Sequence, residues 1–200
     1  MPTSHPGNNL TERLRAALLS AAVEPPVEGD LPELRAQASV PAAVLIAITD
    51  GAEPGMILTV RREHMRTHAG QIAFPGGRLD PGEDSIAAAL REAQEELLLN
   101  PKSVEIVGTL DQYRTVTGYV VTPVIGVIPP DPPLTPHEHE VAEWFEAPLQ
   151  PLLEPARQHR QTALFAGRQR HYYEILWNGR RIWGVTAAII VNLSRRLQWS

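Results

Sequence analysis

The sequence predicts an α+β fold, an α/β/α sandwich in which helices cover a central sheet. Runs of apolar and β-branched residues recur between turn signals, which is typical of strands. Helical periodicity of the apolar residues is found near both ends of the chain and once in its middle. A chain of 200 residues suits one domain with a small appendage, and no long linker divides it.

The first 37 residues are predicted to form an N-terminal extension with one helix. Apolar residues recur with helical spacing over residues 10–22. The pair Pro25-Pro26 then prevents the helix from continuing. The main domain is predicted to comprise residues 38–200.

Strands and two helices make up this main domain. The predicted strands are residues 40–49, 56–62, 104–110, 112–116, 119–128, 141–145, 162–165 and 171–177. Helices are predicted over residues 85–99 and 184–197. Residues 63–82 are rich in glycine and proline and show little periodicity, so we expect a long functional loop there.

Composition excludes several classes of protein. The net charge of −5 and pI near 5.8 argue against a nucleic-acid binder that neutralises phosphates. The chain has no cysteine, so disulfides, thiolate metal sites and a cysteine nucleophile are absent, which is compatible with the cytoplasmic location that we expect. No apolar run approaches the roughly 18 residues that span a bilayer, so no membrane partner is expected.

The helix over residues 85–99 combines an apolar stripe with a cluster of carboxylates. The stripe consists of Ile86, Leu90, Ala93 and Leu97. Glu92, Glu95 and Glu96 are predicted to lie on the other side, where they repel one another. Arg91 is the basic residue nearby, and at about 100° per residue it should point away from Glu92. A divalent cation would turn the repulsion into binding, whereas a solvated acidic face is the alternative interpretation.

Two glycines precede this helix. Gly76-Gly77 lets the backbone approach a ligand closely, although a plain tight turn uses glycine in the same way. A glycine-rich loop that leads into a carboxylate-bearing helix can hold a metal–phosphate complex from both sides.

The spacing of these residues resembles the Nudix box, the signature of Nudix hydrolases. Five residues separate Gly77 from Glu83, and seven more precede the run from Arg91 to Glu96. Such a long, spaced pattern is far more specific than a glycine motif alone. The family has glycine two residues after the last glutamate, where this chain has Leu98. We therefore expect the helix to end later, with Asn100 in the left-handed conformation.

A second motif resembles the coenzyme A pyrophosphatase branch of the family. The matching positions are Leu58-Thr59-Val60-Arg61, Arg66, Gly70 and Phe74-Pro75-Gly76-Gly77. Arg62 stands where that branch has a small residue. The resemblance covers about residues 38–197, so the N-terminal extension lies outside it.

The resemblance implies a Nudix fold with a mixed central sheet and a catalytic loop-helix-loop. It implies metal-dependent hydrolysis of a small nucleoside diphosphate, with Mg²⁺ or Mn²⁺ as the cofactor. The branch implies coenzyme A as substrate, giving 3′,5′-ADP and 4′-phosphopantetheine.

The resemblance also implies roles for individual residues. The expected metal-binding and catalytic groups are Glu92, Glu96, Glu95 and the carbonyl of Gly76. The expected substrate-binding residues are Arg61, Arg66, Gly76 and Gly77, since arginine offers bidentate contacts to phosphate. Glu83 and Arg91 are expected to form a structural pair that holds the loop against the helix.

The general base and the exact substrate stay open. The base is Glu95, or else Glu138 or Glu140 beside the loop at 129–139, and His137 and His139 are interpreted as solvated loop residues. ADP-ribose, dinucleotide polyphosphates and damaged nucleotides are alternative Nudix substrates. A non-catalytic nucleotide-binding module is a further alternative, which the retained glutamates and Arg91 disfavour.

Overall fold

The computed structural model describes residues 10–20, 24–29, 39–62, 70–165 and 167–198. Within these residues eight strands form one mixed sheet, and three more form a separate antiparallel sheet. The strands of the mixed sheet are β1 (Val40–Thr49), β2 (Gly55–Arg61), β3 (Ile72–Ala73), β4 (Gly76–Arg78), β5 (Glu105–Thr109), β6 (Tyr113–Arg114), β7 (Tyr119–Ile128) and β8 (Val141–Pro148). The second sheet contains β9 (Gln158–Phe165), β10 (Arg168–Trp177) and β11 (Arg180–Trp183). The helices are α1 (Leu10–Leu19), α2 (Ser85–Leu97), α3 (Leu149–Leu153) and α4 (Val185–Leu197).

Strand β1 is the centre of the mixed sheet. It runs parallel to β7 along its whole length and antiparallel to β2 and β4. Strand β8 extends the sheet beyond β2, and β5 and β6 pair with β7. A strand buried on both faces needs a nearly continuous apolar sequence, and residues 40–49 provide one.

Apolar side chains on the two faces of this sheet form two separate cores. Helix α2 covers the face that presents Ala43, Leu45 and Ala47. Helices α1, α3 and α4 and residues of the second sheet cover the opposite face. The predicted α/β/α sandwich of the α+β class is therefore confirmed.

Several elements differ from the sequence prediction. Residues 63–82 are predicted as one irregular loop, and this is wrong for the part that the structure describes, because β3 and β4 lie within it and pair with β2 and β1. Strands of two or three residues are too short to show a periodicity. Helix α3 and strand β11 are also absent from the prediction, and residues 63–69 lie outside the described part of the chain.

The described part of the N-terminal extension packs against the main domain. Helix α1 lies against β5 and α4, and Arg15 forms an ion pair with Glu105 at 3.1 Å. The backbone of Val27 exchanges two hydrogen bonds with the Asn192 side chain, at 2.7 and 3.1 Å. None of the helices in the described ranges has both the length and the apolar character needed to span a bilayer.

Candidate active site

Helix α2 is fixed at its start and along its apolar side. The Asp84 side chain accepts a hydrogen bond from the Ala87 N–H at 2.8 Å, as an N-cap residue does. Ala89, Ala93 and Leu97 are fully buried beneath the sheet. This anchoring places Glu92 and Glu96 beside the glycine-bearing strand β4.

Gly76 and Gly77 hold β4 between β1 and α2. A Cβ atom on Gly76 would lie 2.4 Å from the backbone oxygen of Ala43, because Gly76 pairs with β1. A Cβ atom on Gly77 would lie 2.4–2.7 Å from the carboxylate of Glu92. The two glycines are therefore needed for different reasons, the first for the sheet and the second for the candidate site.

This difference predicts opposite behaviour of two neighbouring substitutions. Gly77→Ala should displace the Glu92 carboxylate and lower kcat/KM by about tenfold or more, since small misplacements are costly in catalysis. Its Tm should change by less than about 3 °C, because the displaced group is the end of a flexible side chain. Gly76→Ala should lower Tm by at least about 5 °C, because backbone must move. Thermal melts and steady-state kinetics on both variants test this, and an equal Tm loss in both would contradict it.

Glu96 is buried, with only 3% of its surface exposed. The prediction that it lies off the apolar stripe is wrong, since it lies on the buried side with its neighbour Leu97. The pKa of Glu96 is raised to about 8, chiefly by burial and in addition by the charges of Glu92 and Glu140. The guanidinium of Arg61, 3.9 Å away, and a hydrogen bond from the Gly76 backbone act in the opposite direction.

Arg91 connects the loop, the strand and the helix. It binds Glu83 through two hydrogen bonds of 3.0 and 3.1 Å and donates to the backbone oxygen of Arg78 at 2.9 Å. It also contacts Glu92 at 2.9 Å and Glu95 at 3.3 Å. The expectation that Arg91 points away from Glu92 is wrong, because its guanidinium donates a hydrogen bond to the Glu92 carboxylate.

These contacts act differently on the three carboxylates. The hydrogen bonds from Arg91 lower the pKa of Glu83. The pKa of Glu92 is raised, chiefly by burial, although Arg91 opposes the shift. Glu95 is more than half exposed and lies at the rim of the site.

The end of α2 also differs from the prediction. The helix ends at Leu97, and Leu98 itself adopts the left-handed conformation at φ 54°. Asn100 is extended and caps the short turn at Pro101–Ser103 instead. The helix therefore ends at the position where the family motif has glycine. Leu98 adopts the left-handed conformation there despite its Cβ.

A loop packs on this helix end and carries Glu140. The N–H groups of Thr135 and His137 donate to the carbonyls of Leu97 and Glu96 at 2.9 and 2.8 Å, which satisfies two otherwise unpaired helix carbonyls. The carbonyl of Glu140 accepts the Arg62 N–H at 3.1 Å. Glu140 is exposed, and its charge acts on both Glu92 and Glu96. Of the two base candidates outside the helix, Glu140 is thus the one whose charge is shown to act on these carboxylates.

Of the two predicted substrate-binding arginines, the structure describes Arg61 and not Arg66. Arg61 closes β2 beside Glu96, and its N–H and C=O pair with the carbonyl of Gln71 and the N–H of Gly70. Arg66 lies outside the described residues, in the connection between these two ends. His137 and His139 contact each other edge to face, with ring centroids 5.6 Å apart.

The donor set fits a hard divalent cation. Across the described ranges, no three acidic or histidine side chains already converge as a metal site. Glu92 and Glu96 nevertheless supply carboxylate oxygens at a place where burial and the charges of neighbouring carboxylates raise both pKa values, although Arg91 and Arg61 oppose these shifts. Mg²⁺ and Mn²⁺ prefer such oxygen ligands.

Comparison with known proteins identifies the family. The family model described as NUDIX domain matches residues 39–166. "Uncharacterized Nudix hydrolase NudL" of Escherichia fergusonii is 46% identical over 157 residues, which cover 78% of this chain and 82% of that protein. The protein of the same name from Shigella boydii serotype 4 is also 46% identical, over the same shares of both chains. The chain therefore belongs to the Nudix hydrolase family.

Membership defines the class of activity. The chain is an enzyme, a Nudix pyrophosphatase, and its family acts on small nucleoside diphosphate compounds, generally with divalent ions such as Mg²⁺ or Mn²⁺. The solved binary complex of a C. elegans Ap4A hydrolase is 27% identical and covers 56% of this chain and 81% of that chain, with a TM-score of 0.46.

Proposed function

We propose that this enzyme hydrolyses the diphosphate bond of coenzyme A in the cytoplasm, with Mg²⁺ or Mn²⁺, to give 3′,5′-ADP and 4′-phosphopantetheine. The observation that carries the catalytic part is that helix α2 holds Glu92 and the buried Glu96 near Arg61, where the charge of Glu140 also acts on both carboxylates. Burial chiefly raises the pKa values of Glu92 and Glu96, and such shifts are typical of functional sites. The choice of coenzyme A rests on the resemblance of residues 58–77 to that branch of the family.

Each group at the site has a proposed role. Glu92 and Glu96 would hold the cation, with Glu95 and the Gly76 carbonyl as further oxygen donors. A divalent cation bound there supplies charge neutralisation of the diphosphate and activation of water. Glu83 and Arg91 hold the loop against the helix, and the backbone of Gly76 and Gly77 lines the space beside the carboxylates.

Glu140 is the proposed general base. It is exposed, so water can reach it, and its charge acts on both buried carboxylates. Glu140→Gln should lower kcat by about 10²-fold or more with little change in KM, because binding is untouched. A mild effect on kcat in steady-state assays would move the role to Glu95. Glu138→Gln is the control, since that carboxylate lies on the same turn.

Substitution of Arg61 tests which phosphate group of the substrate this residue contacts. It lies 3.9 Å from Glu96, so we expect it to face the diphosphate and not a remote phosphate. Arg61→Ala should therefore lower kcat/KM for coenzyme A and for dephospho-coenzyme A by similar factors, about 10- to 100-fold. A loss confined to coenzyme A would instead assign Arg61 to the 3′-phosphate.

Product analysis tests the proposed substrate directly. The wild-type enzyme is incubated with coenzyme A, ADP-ribose or dGTP in separate reactions with Mg²⁺, and the products are separated by chromatography. We expect 3′,5′-ADP and 4′-phosphopantetheine from coenzyme A. Efficient cleavage of ADP-ribose or dGTP without cleavage of coenzyme A would favour the alternative Nudix substrates.

A further inference from the structure

Strand β3 pairs with β2 just beyond a β-bulge. The C=O of Arg61 accepts the Gly70 N–H, and its N–H donates to the Gln71 carbonyl, both at 3.0 Å. Gly70 has a φ of +68°, the left-handed conformation that such a bulge requires. The next residue, Ile72, lies opposite Val60. Because hydrogen-bonded and non-hydrogen-bonded pairs alternate along an antiparallel ladder, the carbonyl of Ile72 points away from β2.

A hydroxyl group of helix α4 binds this carbonyl. Thr186 lies in the first turn of α4, and its Oγ1 donates to the Ile72 carbonyl at 3.0 Å, in a contact that is buried from solvent. The start of the helix is itself fixed, because the Gly184 N–H donates to the carbonyl of Tyr173 on β10 at 3.0 Å. A buried carbonyl without a partner costs free energy. Helix α4 therefore holds β3 in place through the Thr186 side chain.

The chain beyond β3 leads directly to the carboxylates of the candidate site. The carbonyl of Pro75 accepts the N–H of Leu45 on β1 at 2.9 Å. The backbone of the next residue, Gly76, donates a hydrogen bond to the side chain of Glu96. Residues 72–75 are thus held at one end by α4 and at the other by β1, and Gly76 follows immediately.

We propose that Thr186 is a positioning residue for catalysis, which holds the Ile72 carbonyl and thereby keeps Gly76 in place beside Glu96. This inference rests on the proposed metal site, and it applies to whichever nucleoside diphosphate the enzyme cleaves. The Thr186 hydroxyl binds the backbone of β3 and not a residue of the site, so its effect reaches Gly76 through residues 72–75. The C-terminal helix is in this way part of the support of the active site.

Removal of the Thr186 hydroxyl tests this role while the shape of the side chain is nearly kept. Thr186→Val should lower kcat by about tenfold or more at 25 °C, because the reacting groups are misplaced. The KM should change by less than about threefold, since the substrate is still bound. Thr186→Ser keeps the hydroxyl and should restore kcat to within about threefold of the wild type. Steady-state kinetics at saturating Mg²⁺ measure both constants, and Thr186→Ala is the second neutral variant if valine perturbs folding.

Ser194 provides a matched control in the same helix. Its hydroxyl also donates to a backbone carbonyl, that of Leu153 at 2.6 Å, which belongs to α3 and not to the site. Thr186→Val and Ser194→Ala should both lower Tm, by about 3–8 °C, whereas kcat should fall in Thr186→Val alone. Hydrogen exchange followed by mass spectrometry gives a second measurement that needs no turnover. Exchange of residues 70–77 should be faster in Thr186→Val and unchanged in Ser194→Ala.

The outcomes separate this inference from the proposed function. A wild-type kcat in Thr186→Val, an equal loss of kcat in Ser194→Ala, or unchanged exchange of residues 70–77 in Thr186→Val would overturn the role of Thr186. The same holds if Thr186→Ser is as impaired as Thr186→Val. If the wild-type enzyme cleaves another nucleoside diphosphate and not coenzyme A, the proposed substrate is wrong, and the comparison of kcat on that compound still decides the role of Thr186.

Discussion

Glu96→Gln is expected to lower kcat/KM by at least about 100-fold while the protein stays folded. The substitution removes the buried carboxylate that we propose as a metal ligand, and the loss of a group that positions or activates water has effects of this size. The amide has almost the same shape, so the packing around the buried side chain is kept. Steady-state kinetics with Mg²⁺ measure the effect, and full activity of the variant would contradict the assignment.

The same substitution should stabilise the protein in a chelator. Because the folded-state pKa of Glu96, about 8, is above its unfolded value, the native state binds the extra proton and loses stability as pH rises from about 4.5 to 8. Glutamine carries no charge and escapes this cost. In excess chelator the Tm of Glu96→Gln should therefore exceed that of the wild type at pH 8, by about 5 °C or more, with the difference vanishing near pH 4.5. A wild-type Tm equal to or above that of the variant at pH 8 would contradict the burial of an ionisable carboxyl.

Arg91→Ala is expected to lower Tm by roughly 5–10 °C and to remove most of the activity. Arg91 contacts four carboxylates and the backbone of β4, so its removal leaves Asp80, Glu83, Glu92 and Glu95 without their shared cation. The segment that carries Glu83 and helix α2 then lose the contact that holds them together. Thermal melts and kinetics on the same preparation measure both losses.

Two further variants identify the cause of the Arg91 effect. Arg91→Lys keeps the charge but not the planar fork, so it should recover only part of the Tm. The double variant Glu83→Gln with Arg91→Ala should be less destabilised than the sum of the single changes, because the two side chains form one unit. Strict additivity would contradict a direct Glu83–Arg91 contribution.

The long, periodic elements could be predicted from the sequence. Residues 40–49 read as a strand because an apolar run of that length needs burial on both faces, and β1 has these bounds. Helix α2 was predictable from its apolar repeat, and the spacing of Gly77, Glu83 and the run from Arg91 to Glu96 identified the family. The short strands β3 and β4 depend on pairing with distant residues, so no local pattern reveals them.

The electrostatics of the site were harder to predict. Helical periodicity alone does not tell how deeply each side chain is buried. It could therefore not show that Glu96 is buried while Glu95 is exposed. The path of the Arg91 side chain depends on β4 and Glu83, which approach from outside the helix.

The central proposal is that this Nudix hydrolase cleaves coenzyme A, with carboxylates of helix α2 as its metal-binding groups. A one-pot competition with equimolar coenzyme A, ADP-ribose and a dinucleotide polyphosphate, in Mg²⁺, compares their kcat/KM values in a single reaction. We expect 3′,5′-ADP and 4′-phosphopantetheine to form first, with no products in excess chelator or in Glu96→Gln. Earlier depletion of ADP-ribose or the dinucleotide, or cleavage of coenzyme A that persists in chelator, would contradict the claim.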